Sequence, residues 1–194
     1  MWRSAAVAAA FAVASTVGLA ACGDGEAPPP PEVASPLAPC SAAVVSTPGP
    51  ARAERAPRST VLDLTLPCFT GGEPVVLARL GRPAVISLWA SSCQPCREEL
   101  PELQAFADAS PRFAVLGVVT GDRRSAAASL AGDLGITFPS VDDPDRRLLR
   151  ALGRMALPVT LFVDAAGVVR HEDVSGALTA NRLRTLATRY LGRP

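Results

Sequence analysis

Two cysteines separated by two residues, Cys93 and Cys96, carry the clearest chemical potential in this sequence. They follow the apolar run 84–89, which predicts a buried strand, and they precede the helical pattern 97–108. A thiolate at a helix N-terminus faces unpaired backbone N–H groups, which lower its pKa and make it a nucleophile near neutral pH. We therefore predict a redox-active pair in which Cys93 attacks a disulfide and Cys96, one turn further along, resolves the mixed disulfide.

The same cysteine spacing is also half of a common kind of zinc site, which is the alternative for this pair. A closed zinc site needs about four ligands. The sequence has no second pair with this spacing, and its one histidine, His171, stands at the end of a predicted strand far from the cysteines. We therefore predict no metal and no cofactor at the site, and we place His171 on the surface.

The elements that must position the pair are predicted from residue 58 onwards, where apolar runs separated by turn residues begin. Strands are expected at 61–66 and 75–77, which form a hairpin, and at 84–89, 113–119, 159–163 and 168–171. Helices are expected at 97–108, 125–134, 144–152 and 179–191. This alternation predicts an α/β domain in which a mixed sheet lies between helices. The sequence contains no repeat, Walker-type loop or dinucleotide glycine fingerprint.

The beginning of the chain has the pattern of an export signal. Arg3 precedes an apolar run at 5–21 that is short for a membrane span and is followed by small residues. The run closes on Leu-Ala-Ala before Cys22, which resembles the lipobox of bacterial lipoproteins. That resemblance implies cleavage before Cys22 and lipidation of its sulfur. Ordinary cleavage nearby, with Cys22 left as a free thiol, is the alternative.

The stretch from 23 to 57 is rich in proline and alanine and has few large apolar side chains, which predicts an extended, semi-rigid spacer. The predicted organisation is a signal peptide at 1–21, a lipidated tether at 22–57 and a folded domain at 58–194. The whole chain has 19 basic and 18 acidic residues. Removing the signal leaves it near neutral, which gives no support to a nucleic-acid binder.

Residues 89–101 (WASSCQPCREELP) resemble the active-site segment of thioredoxin-like proteins, specifically the exported TlpA and ResA kind. The resemblance extends over residues 58–194. It implies a thioredoxin fold in which a mixed central sheet is flanked by helices, with an N-terminal β-hairpin and a central αβ insertion.

A second segment, residues 153–164 (GRMALPVTLFVD), resembles the cis-proline loop of the same family and the strand after it. The resemblance implies that Pro158 is cis and lies beside the two sulfurs. The backbone of Leu157 would then pair with an extended substrate segment, and Gln94 and Pro95 would complete the docking surface.

An acidic residue and two departures from the family pattern also concern the site. Glu99 matches the acidic residue that these exported proteins carry near the active site, where it would help to move a proton from Cys96. The alternative is a solvated carboxylate on a helix face, like Glu98. Ser87 stands where thioredoxin has a buried aspartate. Ser92 replaces the aromatic residue that usually precedes the first cysteine, and so opens that side of the site.

Two further cysteines, Cys40 in the spacer and Cys68 at the end of the first predicted strand, remain to be placed. In an oxidising, exported setting a structural disulfide between them is the economical pairing, and it would clip the spacer to the domain. The alternatives are a second redox pair, or a Cys68 that exchanges with Cys93.

The resemblance implies a thiol:disulfide oxidoreductase that is lipid-anchored at the outer face of the cytoplasmic membrane. It would reduce disulfides of exported proteins, for example those of apocytochromes or copper-site thiols, and would need a transmembrane electron donor. One alternative is a non-catalytic thioredoxin-fold binding module. Another is a thiol peroxidase, although residues 91–93 lack a threonine-rich approach to the cysteine. The Gln94-Pro95 dipeptide does not reveal the direction of electron flow.

Overall fold

A five-stranded mixed sheet forms the centre of this chain, in a computed structural model that describes residues 35–44 and 60–192. In chain order its regular elements are β1 (Thr65–Leu66), β2 (Val75–Val76), β3 (Ala84–Trp89), α1 (Gln94–Ala109), β4 (Ala114–Thr120), α2 (Arg124–Asp133), β5 (Ser140–Asp143), α3 (Arg147–Ala151), β6 (Val159–Val163), β7 (Val169–Asp173) and α4 (Ala180–Leu191). The sheet order is β5-β4-β3-β6-β7, and β1 and β2 form a separate antiparallel pair. Strands β3, β4 and β5 are parallel, whereas β6 and β7 run antiparallel to their neighbours.

Strand β3 lies between two apolar layers, and all six of its residues are buried. Val85 and Trp89 belong to the layer that α1 and α4 complete. Ile86 and Leu88 point the other way, into a layer with the β1–β2 pair and α3. Burial on both faces explains why the sequence of β3 is apolar at every position but Ser87 rather than alternating. Both β3 and β6 begin and end at the predicted residues.

The first predicted strand, 61–66, is wrong over most of its length. The structure has a 3-10 turn at Thr60–Leu62, and only the two residues of β1 are in strand conformation. The residues that follow β1, 67–69, pair with β5, with N···O distances of 2.9 Å at both ends of the contact. The partner strand β2 is also short, because the chain turns again at Leu77–Arg79.

Strand β5 is absent from the predicted elements because it has one apolar residue, Val141, among polar ones. Its two carboxylates are buried but bonded. Asp142 pairs with Arg124 at 2.9 Å, and Asp143 accepts from the first two backbone N–H groups of α3, both at 2.9 Å. This cap starts α3 later than the predicted helix at 144–152.

Part of the predicted spacer, residues 35–44, packs onto the domain. Leu37, Cys40 and Ala43 are all buried, although the composition of the spacer predicts no core there. Leu37 joins the core layer of α1 and α4, and the smaller Cys40 and Ala43 join the layer of the β1–β2 pair, so the domain supplies most of the apolar surface that covers them. The predictions for the export signal, for Cys22 and for the rest of the tether lie outside the described residues.

His171 lies at the surface only in part, because 26% of its side chain is exposed. Its ring stacks on Tyr190 of α4, with centroids 4.3 Å apart and planes at 7°, and lies 5.7 Å from the Phe162 ring. The edge strand β7 therefore has one side covered by the last helix. Among the described residues, none of the helices combines the length and apolar character needed to cross a bilayer.

Candidate active site

The predicted cysteine pair lies where the chain leaves β3 and enters α1. Cys93 and Cys96 form a disulfide with an S–S distance of 2.03 Å. Cys93 caps the helix, because its sulfur accepts a hydrogen bond from the Cys96 N–H at 3.2 Å. Pro95 occupies the first turn, where a missing N–H costs little. Cys96 is fully buried and Cys93 is half-buried, so Cys93 is the sulfur that a partner can reach.

The loop before β6 lies next to this pair. The Leu157–Pro158 peptide bond is cis. A groove of about 280 Å³ is lined by Cys93 and Pro95 together with Met155 and Leu157. A second groove of about 290 Å³ shares Met155 and Leu157 and is also lined by Pro158. Met155 is 97% exposed. An extended segment seated on this loop would therefore meet the Cys93 sulfur and an uncovered apolar side chain together.

Two polar side chains near the pair point away from the grooves. Gln94 is exposed, donates to Glu98 at 3.5 Å, and lines neither groove, unlike Pro95. Arg97 is exposed as well, and its guanidinium donates to the backbone carbonyl of Ser91 at 3.4 Å. The structure thus brings Pro95, but not Gln94, to the predicted docking surface.

Asp122 holds the loop that precedes the pair, a role that the sequence analysis does not assign. Its carboxylate accepts from both the backbone N–H and the hydroxyl of Ser91, the latter at 3.0 Å, and from the Arg123 N–H at 2.8 Å. The available signal is topological. Asp122 follows β4 almost directly, and the carboxyl ends of neighbouring parallel strands meet at one edge of a sheet.

Glu99 is a buried carboxyl at the centre of a hydrogen-bond cluster rather than a solvated residue on a helix face. Only 1% of the surface of Glu99 is exposed. One oxygen accepts from the Thr160 hydroxyl at 2.9 Å and from the Leu178 N–H at 3.4 Å, and the other accepts from the Ser87 hydroxyl at 3.1 Å. The buried acid therefore comes from α1, while β3 supplies a hydroxyl partner.

Burial raises the pKa of Glu99 to about 7. The hydrogen bonds from Thr160, Ser87 and Leu178 act in the opposite direction, because they stabilise the carboxylate, and the negative charge of Asp173 raises the pKa further. Removal from water dominates these opposing contributions. Glu99 can therefore gain and lose a proton near neutral pH, one helical turn after Cys96.

Replacing Glu99 with glutamine is expected to raise the free energy of unfolding by about 2 to 3 kcal/mol at pH 8. The pKa rises from 4.5 to about 7 on folding. The stability that this group contributes is therefore full below pH 4.5 and is lost as the pH rises through 7. Glutamine cannot ionise, its oxygen still accepts from Thr160, and its amide can donate to Ser87. Urea unfolding at pH 5 and pH 8 measures the difference.

The matched control is Glu98→Gln, which removes an exposed carboxylate from the same helix and should shift stability by less than about 0.5 kcal/mol at either pH. If Glu99→Gln and the unmodified chain lose stability in parallel between pH 5 and pH 8, Glu99 is not the group that titrates.

A second disulfide joins Cys40 to Cys68, with an S–S distance of 2.06 Å. Both residues are buried on the opposite side of β3 from Cys96, in the layer that contains the β1–β2 pair. Cys68 is thus paired away from Cys93. Within the described ranges, no cluster of three or more histidine, cysteine, aspartate or glutamate side chains could hold a metal ion.

Much of the chain, including both cysteine pairs in part or whole, is similar to known proteins. It matches the AhpC/TSA family over residues 57–172. It is 27% identical over 128 residues to thiol-disulfide oxidoreductase ResA of Geobacillus thermodenitrificans, covering 65% of this chain and 73% of that protein. It is 29% identical over 149 residues to thiol:disulfide interchange protein DsbE of Allochromatium vinosum, covering 75% and 80%. The solved structure of a secreted Mycobacterium tuberculosis disulfide oxidoreductase superposes with a TM-score of 0.56 at 24% identity, over 63% of this chain and 92% of that one.

Fold and site together define a thioredoxin-like thiol-disulfide oxidoreductase, so the predicted thioredoxin fold and the predicted enzyme class are confirmed. The chain belongs to the AhpC/TSA family.

Proposed function

We propose that this oxidoreductase is exported, lipid-anchored through Cys22 at the outer face of the cytoplasmic membrane, and reduces disulfides of other exported proteins through Cys93 and Cys96. The observation that carries the proposal is the asymmetry of the pair. Cys93 opens into a groove that Leu157 also lines, whereas Cys96 is fully buried behind it. A partner protein can therefore bond to one sulfur while the other waits out of its reach.

The proposed exchange has two steps. The Cys93 thiolate attacks one sulfur of the substrate disulfide, forms a mixed disulfide and releases the other substrate sulfur as a thiolate. The Cys96 thiolate then attacks the Cys93 sulfur and releases the second substrate thiolate. Two electrons pass to the substrate, and the protein is left with the Cys93–Cys96 disulfide. A reductant of the dithiol class must restore the pair, and we assign this role to a transmembrane electron donor.

Glu99 would act in the second step. Cys96 must lose a proton before it can attack, and its full burial keeps bulk water from accepting that proton directly. Glu99 lies three residues further along α1 and, with a pKa of about 7, is partly ionised at neutral pH. It is therefore suited to take the proton from Cys96 and to pass it on when the pair is reduced again.

The extracytoplasmic location draws support from two sources. Residues 19–22 have the lipobox pattern, and the M. tuberculosis protein of the same fold is described as secreted. Apocytochromes before haem attachment and copper-site thiols are the substrate types that the family resemblance suggests. Nucleic acid is not a proposed partner, because the chain is near neutral.

The experiment that tests this scheme uses a Cys96→Ala variant, which lacks the resolving thiol. We expect it to accumulate mixed disulfides through Cys93 when it meets exported proteins that contain disulfides, and peptide mapping without reductant locates the joined sulfurs. A binding module with purely structural cysteines would accumulate none, and that result would reject the two-step exchange.

A further inference from the structure

One cation lies in the groove that contains the Cys93 sulfur. Arg146 is the charged residue among those that line it, and its neighbours there include Gly121 and the apolar side chains of Leu149 and Met155. Gly121 and Arg146 come from neighbouring loops at the same edge of the sheet, because Gly121 follows β4 and Arg146 lies shortly after β5. A substrate segment bonded to Cys93 would therefore lie beside a positive charge.

The backbone fixes where this arginine points. Arg146 has φ 54° and ψ 35°, and it is the non-glycine residue with positive φ in the described part of the chain. This left-handed conformation is uncommon for a residue with a side chain. It lays the arginine against Gly121, where an added Cβ would come within 2.2 Å of the Arg146 Nε. A side chain at position 121 would collide with the Arg146 side chain, so glycine is required there for Arg146 to keep this position.

The guanidinium of Arg146 is not neutralised by the protein. Arg124, Arg154 and Arg170 each form an ion pair with a carboxylate, but the Arg146 side chain forms none within residues 35–44 and 60–192. The nearby carboxylate of Asp122 is directed to Ser91 and to a backbone N–H. Arg146 therefore offers an unpaired charge to whatever occupies the groove.

We propose that Arg146 is a specificity-determining residue, which binds an acidic side chain next to the reactive cysteine of the substrate. The inference rests on the proposed function and adds a substrate class to it: extended segments with aspartate or glutamate beside the cysteine. An arginine fork matches the two oxygens of a carboxylate, and the Arg146 side chain is exposed, so its fork is accessible to a substrate segment. The ion pair involves no bond making, so the two exchange steps are unchanged.

The test uses reduced full-length protein and the disulfide-linked dimers of a short peptide with one cysteine, in which the residues beside the cysteine are glutamate, glutamine or lysine. We expect the second-order rate constant for the glutamate peptide to exceed that for the glutamine peptide by about 3- to 5-fold, and the lysine peptide to be slowest. The preference should shrink at high salt, because the ion pair is screened.

Arg146→Gln should remove the preference for glutamate, and Arg146→Lys should keep part of it because the charge remains. The matched control is Arg184→Gln, which removes an exposed arginine from α4 and should leave the preference unchanged. A variant that slows all three peptides equally would assign Arg146 to activation of Cys93 and overturn the specificity role. Equal rates for all three peptides with the unmodified chain would also overturn it, while leaving disulfide reduction intact. Failure of that chain to reduce any peptide would instead reject the proposed function.

Discussion

Replacing Cys93 with serine is expected to lower the rate of disulfide reduction to that of buffer alone, a loss of at least roughly 1000-fold. The nucleophile is a thiolate, and a serine hydroxyl does not ionise near neutral pH. Cys96 is fully buried, so it cannot take over the attack on a protein substrate. Reduction of a disulfide-linked peptide, followed by chromatography after acid quenching, measures the effect.

The control for that experiment removes the other disulfide. A Cys40→Ala/Cys68→Ala variant should retain disulfide reduction wherever it remains folded, because its cysteines lie in the opposite apolar layer from Cys96. Persistent reduction by Cys93→Ser would show that another thiol performs the exchange. Non-covalent binding of partners by the unmodified chain, without mixed disulfides and without any disulfide reduction, would favour the binding-module alternative.

Loss of the Cys40–Cys68 disulfide is expected to lower the free energy of unfolding by about 3 to 4 kcal/mol. The two cysteines are 28 residues apart, so the bond closes a long loop and restricts the unfolded chain. Both positions should be changed together, since a single substitution would leave a free thiol that can exchange with Cys93 once the chain is unfolded. Urea unfolding of the double alanine variant and the unmodified chain, both without reductant, gives the difference.

Contacts around the Cys40–Cys68 disulfide in the folded chain should add to the loss of stability. Cys68 lies between two residues whose backbones pair with β5, and residues 35–44 are held against the domain by the Cys40 side of the bond. Dithiothreitol reduces both disulfides of the unmodified chain but only Cys93–Cys96 in the double variant, so it should destabilise the unmodified chain more than the variant. Equal unfolding midpoints for the two proteins without reductant would contradict a stabilising role.

The parts of the fold that follow from apolar patterning could be predicted from the sequence. β3 and β6 are buried on both faces and are therefore apolar apart from Ser87 and Thr160, and their limits are predicted correctly to the residue. The cysteine spacing and its place between a strand and a helix give the site, because that position needs no knowledge of distant contacts. The family resemblance adds the loop at 153–158.

The missed features depend on contacts between distant segments. β5 is polar in sequence, and its buried carboxylates are stabilised by contacts from elsewhere: Arg124 pairs with one oxygen of Asp142, and the start of α3 donates to both oxygens of Asp143. Asp122 and Arg146 lie near the site because β4 and β5 end at the same edge of the sheet as β3. The order of the strands in the sheet determines this, and the sequence does not show that order. Glu99 has the same sequence character as its neighbour Glu98, and packing against Thr160 and Ser87 distinguishes the two.

The central claim is that the Cys93–Cys96 pair donates electrons to disulfides of exported proteins. The most direct measurement is its equilibrium reduction potential, obtained on the full chain in glutathione or dithiothreitol buffers with the Cys40–Cys68 bond monitored in parallel. A donor should have a value near that of thioredoxin, about −270 mV. A value near −120 mV, which is typical of a strong oxidant, would contradict the proposed direction.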